Sequence, residues 1–208
     1  IAANSLPFHR LHELAESLAD SAKRLSRALA DARRPASVVD WMVCTNSWAT
    51  DPVEDRERFD LIRARNQTAV LSCKPYRILA EPADTAKRDL RSLDGLLGAA
   101  TMLRRKDRVT GSSGDSEPQR AARSQLKGLR DGLRRGVSFG ELAYRELPPG
   151  TLKALKDAGF NEKNPWQSLG DRDAPRYATQ LCDLVEIYEI ETLGRRVKTA
   201  APDSQEAA

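Results

Sequence analysis

The chain has 208 residues, 34 Lys or Arg against 30 Asp or Glu for a net charge of +4, 40% hydrophobic and 5% aromatic residues. That apolar content suits a folded core in one domain or two small ones and is too high for a disordered chain. No apolar run approaches the roughly 20 residues of a bilayer-spanning helix. Cys44, Cys73 and Cys182 lack any C-x-x-C spacing, so neither a disulfide framework nor a zinc ribbon is signalled, and the expected setting is a reducing, intracellular compartment with no membrane span.

Leu and Ala dominate the apolar set, which predicts an all-α fold, a helical bundle of about seven helices in two units. The first helix is expected over 7–33, with Leu11, Leu14, Leu18, Ala22, Leu25 and Leu29 in one apolar stripe. That stripe needs a partner, either within the chain or through self-association of the first helix. Ser37 can cap a short core helix through VVDWMVC. The TDP at 50–52 starts another, bearing Phe59, Ile62, Ala69 and Cys73 on one face, with 67–73 readable as helix or strand.

Asp84 can cap the next helix, where Leu90, Leu93, Leu97, Ala100 and Leu103 recur at helical spacing. The N-terminal bundle then covers 1–108, and 109–119, VTGSSGDSEPQ, reads as a flexible linker. A C-terminal helical unit with a basic first helix is expected over 120–198, and 199–208 as a loose tail. Within that unit Ser138 and Glu141 have capping-box spacing, 148–150 is a turn before a short helix closed by Gly159, and a last helix bears Tyr177, Leu181, Leu184, Val185 and Tyr188.

The basic helix holds the strongest functional signal. Arg120, Arg123, Lys127, Arg130 and Arg134 fall at alternating steps of three and four and line one side of a helix, flanked by Arg104, Arg105, Lys106 and Arg135. The segment 104–135 carries ten Lys or Arg and four acids, more net charge than the whole chain. Such a ridge is the footprint of a protein that meets nucleic acid phosphates, RNA or DNA, or an acidic protein surface. The expected function is therefore a non-enzymatic interaction or assembly protein. The alternatives are an adaptor for an acidic partner, or an enzyme of a type that carries no recognisable signature.

No G-x-S-x-G, H-E-x-x-H or G-x-x-x-x-G-K-[ST] occurs. His9 and His12 have no third His or Cys nearby, so neither a metal nor a cofactor is implied. Glu186, Glu189 and Glu191 read as a solvated helix face. The stretch FGELAYRELPPGTLKALKDAGFNEKNPWQ, Phe139 to Gln167, resembles the Q motif of DEAD-box RNA helicases in its aromatic residue, Gly-Phe pair, Pro and Gln. In that family the Gln reads adenine. No G-K-T follows Gln167 to hold the nucleotide phosphates, so the resemblance implies no ATPase.

Overall fold

The structure, a computed structural model, describes residues 8–29, 36–43, 52–64, 67–78, 92–104, 123–169 and 175–200. The expected linker at 109–119 lies outside these residues, as do Asp84, Arg105, Lys106, Arg120 and the chain after residue 200.

The first helix, α1 (Phe8–Leu29), forms where the Leu stripe predicts it and buries Leu14, Ser21 and Leu25. It packs on the segments that follow it, β1 (Val38–Val39) and α2 (Pro52–Phe59). Ser26 Oγ donates to the Ala36 carbonyl at 2.7 Å and ties the end of α1 to the returning chain.

The all-α expectation is overturned: two small sheets lie among the helices. The residues expected as the VVDWMVC helix instead form β1 and an extended segment through Val43. Two adjacent β-branched valines suit a pleated strand better than a helix. Strand β1 pairs antiparallel with β4 (Tyr76–Arg77).

Helix α2 begins at the TDP signal but ends at Phe59, which is 77% exposed rather than core. The chain continues as β2 (Leu61–Ala64) and β3 (Gln67–Val70), so the 67–73 ambiguity resolves to strand followed by extended chain. With β5 (Gln167–Ser168) and β6 (Arg176–Ala178) these make a four-stranded sheet of order β2-β3-β6-β5. β3 and β6 run parallel, Ala69 opposite Tyr177, and the other pairs antiparallel. Tyr177 is thus a strand residue, not the start of the last helix.

The remaining helices are α3 (Leu93–Arg104), α4 (Arg123–Arg134), α5 (Val137–Arg145), α6 (Pro149–Asp157) and α7 (Leu181–Ala200). In α3 the buried face is Leu96, Ala99, Ala100 and Leu103, rotated one position from the expected stripe at Leu97. α4 buries Leu126, Leu129 and Leu133, as its spacing dictates. Gly136, at φ 121°, takes the backbone position before α5, and Ser138 lies inside the helix, so the expected capping box does not form. Gly159, at φ 85°, closes α6, a left-handed conformation that costs glycine little.

One apolar cluster runs through Leu71, Leu96, Leu126, Leu133, Leu155 and Leu184, drawing on both sides of the expected linker. No described helix is long and apolar enough to cross a membrane.

Candidate functional site

Helix α7 organises the polar chemistry of the molecule. Its first turns are nearly encircled by core, with Leu181, Leu184 and Val185 buried, yet Asp183 and Glu186 lie on the same helix among them. A carboxylate taken from water needs donors to replace it. Asp183 finds them on the segment after β3, Leu71 to Tyr76. Ser72 Oγ donates to Asp183 Oδ1, and both the Cys73 amide and the Tyr76 hydroxyl donate to Oδ2, all at 2.8 Å. Lys74 Nζ adds a charge 3.7 Å from Oδ1.

Lys74 also pairs with Glu186, which accepts from the Trp41 indole N–H at 3.2 Å. The Lys74 ammonium lies 4.9 Å from the Trp41 ring centroid. Beside this group, Arg56 on α2 grips Asp40 through both carboxylate oxygens at 2.7 and 2.9 Å and donates to the Trp41 carbonyl. The side chains of Lys74 and Asp183 are only 6% and 3% exposed.

Enclosure sets the titration of these groups. Burial pushes the Asp183 carboxyl up, against the opposing pull of Lys74 and its hydrogen-bond donors. Burial and then the adjacent Asp183 charge push the Tyr76 hydroxyl well above its usual range. Burial, then Asp183, raises Asp60, at the end of α2, to about 6, with Lys74 and Arg56 opposing. Burial raises the Cys182 thiol to about 12, which keeps it protonated and unreactive at neutral pH.

Converging, perturbed groups are often catalytic. Here Ser72, Lys74, Tyr76, Asp183 and Glu186 are bonded largely to one another. Its chemistry is that of a clamp joining the 71–76 segment, α2 and the start of α7.

The basic ridge divides. Further along α7, Glu189 accepts from Arg123 Nε at 3.4 Å and from Arg130 Nη1 at 3.2 Å. Arg104 pairs with Glu191, donates to the Tyr188 carbonyl and stacks its guanidinium 5.1 Å from the Tyr188 ring centroid. Glu186, Glu189 and Glu191 are therefore engaged, not a solvated face. The expected uniform outward basic side, on which nucleic acid binding rested, is corrected: Arg123 and Arg130 of the ridge and the flanking Arg104 face the chain's own acids.

Lys127, Arg134 and Arg135 are exposed and make no ion pair with a described acid. Next to the end of α4, the first turns of α5 expose Phe139 and Leu142 at 54% and 53%. Helix α5 lies close on α4 because Gly132 has no side chain. A Cβ there would stand 2.5 Å from that of Ala143.

The region resembling the Q motif contains no assembled nucleotide contact. Trp166 is buried, donates to the Val137 carbonyl at 3.1 Å and lies against Gly140, while Gln167 pairs in the sheet opposite Ala178. His9 and His12 are exposed, His12 standing 3.4 Å from Glu16. Among the described residues no group of three His, Cys, Asp or Glu is placed to hold a metal.

The sequence reading missed the clamp. Its only linear trace is the stretch Ser72 to Tyr76, with two hydroxyls and Lys74, together with Asp183 and Glu186 three residues apart among the apolar residues at the start of α7. No protein-family model matches the chain, and no curated protein matches it.

Proposed function

We propose that the chain is a non-enzymatic interaction module whose α4–α5 face docks an acidic, partly apolar protein surface. The observation that carries this reading is the conjunction of exposed Lys127, Arg134 and Arg135 with exposed Phe139 and Leu142 on two tightly packed helices. Charge alone would suit any polyanion. Two large apolar side chains held in water beside it favour a protein partner, since interface centres combine aromatic and aliphatic anchors with arginine. Saturation of the α7 clamp by its own partners supports a scaffold role for that part of the molecule.

The test is a titration, by fluorescence anisotropy, of a labelled acidic peptide carrying interspersed Leu, with single-stranded RNA and duplex DNA as rivals. The peptide is expected to bind, and Lys127→Glu/Arg135→Glu and Phe139→Ser/Leu142→Ser are each expected to weaken it about tenfold or more, equivalent to about 1.4 kcal/mol. Nucleic acid binding that falls steeply with salt and ignores the Phe139 and Leu142 changes would transfer the face to phosphates. Silence from all three ligands at low salt removes the binding role.

A further inference from the structure

The four-stranded sheet ends on β2, and its ladder decides which main-chain groups of that strand are used. The Leu71 amide donates to the Asp60 carbonyl at 2.8 Å, while β3 turns Thr68 and Val70 toward the β6 side, with Pro175 and Thr179 as their partners at 3.1 and 3.0 Å. With Ile62 opposite Ala69 and Ala64 opposite Gln67, it is Ile62 and Ala64 that bond to β3. Bonding direction alternates along an antiparallel strand, so the N–H and C=O of Leu61 and Arg63 point outward. Among the described residues no hydrogen bond reaches them.

An unpaired edge is a template for another strand, and proteins commonly blunt it with proline, a bulge or charge. Strand β2 has neither proline nor bulge, and its single charge, Arg63, leaves the edge open to a strand of opposite sign. Ile62 packs against the core and anchors the strand, while Arg63 and Ala64 are exposed. Just before β2, Phe59 stands 77% exposed beside exposed Arg58. Neither Arg58 nor Arg63 forms an ion pair among the described residues, and Asp60, the acid between them, is half-buried. Unused main-chain groups, an apolar side chain and two cations thus meet along one edge.

We propose that β2 is a docking edge for an extended acidic segment of another protein, which adds to the sheet as its outermost strand. Running antiparallel, the partner residue opposite Arg63 comes two positions before the residue opposite Leu61, and both share the face of those side chains. The edge therefore selects an acid, any residue, then an apolar residue, in that order. A second copy of the chain is a poorer complement, because it would bring its own Arg58 and Arg63 to the same narrow strip. The surface uses none of the residues of the α4–α5 face.

The experiment titrates the 15N-labelled full chain with the blocked peptide Thr-Glu-Thr-Val-Thr, with its reversed order and its Lys-for-Glu form as controls, and follows amide shifts by NMR. The Leu61 and Arg63 amides are expected to move most, and those of Ile62 and Ala64, which face β3, to move less. Arg63→Glu is expected to weaken the Glu peptide about fivefold and to favour the Lys form, a swap that loss of folding could not produce. Lys127→Glu/Arg135→Glu should leave this binding unchanged, whatever the outcome for the α4–α5 face; a loss there would place the peptide on that face and overturn the proposal. Equal affinity for the Glu peptide and either control overturns it too, as do shifts centred away from β2. Leu61 and Arg63 shifts that follow protein concentration without peptide would give the edge to a second copy instead.

Discussion

The Tyr76 hydroxyl and the Ser72 hydroxyl differ in what their loss would leave behind. Tyr76 is wholly buried and supplies one of two bonds to Asp183 Oδ2. Tyr76→Phe removes that donor without changing shape, so urea unfolding is expected to show a loss of about 1–3 kcal/mol, the cost of an under-satisfied buried acceptor. Ser72, only partly buried, should cost less as Ser72→Ala. Equal or negligible losses would mean that Asp183 does not depend on these donors. Asp60 is predicted to act with the opposite sign. Its folded pKa lies above the unfolded value of 3.8, so its contribution is most favourable in acid, declines from about pH 4 to about pH 6 and is flat above. Asp60→Asn should therefore stabilise the protein at pH 8 by up to about 3 kcal/mol, the gain vanishing by about pH 4, checked by thermal melts across that range.

At the scale of elements, α4 and α5 meet through glycine. A Cβ on Gly132 would stand 2.5 Å from Ala143 Cβ and 3.2 Å from the Phe139 carbonyl, both on an adjoining helix that cannot yield cheaply. Gly132→Ala is expected to destabilise by about 1–3 kcal/mol despite alanine's higher helix propensity, and adding Ala143→Gly should restore part of the loss. Gly128, on the same helix, has open space around its missing Cβ. Gly128→Ala should stabilise by about 0.5–1 kcal/mol, because only propensity changes there. If melts show the two substitutions behaving alike, the close approach of α4 and α5 is wrong.

For the molecule as a whole, the electrostatics turn on Glu189, which occupies two arginines of the ridge. Glu189→Gln raises the net charge by one and leaves Arg123 and Arg130 without their carboxylate. Arg123 is half exposed, and partly exposed pairs contribute little, so the stability loss should stay below about 1 kcal/mol. Retention on a heparin column should nevertheless move to higher salt, as the released charges join Lys127, Arg134 and Arg135. Unchanged elution would show that α7 does not limit the ridge's access to a polyanion.

The sequence by itself determined the local features. The Leu steps of α1 and α4 and the glycine after α6 each depend on neighbours within a few residues, and helical periodicity records those neighbours directly. Two- to four-residue strands such as Leu61–Ala64 or Arg176–Ala178 are too short to show alternation, and Ala69 becomes a strand residue because Tyr177, far along the chain, lies beside it. The same holds for charge. Periodicity placed the arginines of α4 on one side, but whether they meet solvent or Glu189 depended on where α7 came to lie. Asp183 and Glu186 likewise look like ordinary helix-surface acids until the 71–76 segment is folded over them. Side-chain spacing along a helix is a local property, whereas burial and ion pairing belong to two segments at once, and only tertiary packing brought those segments together.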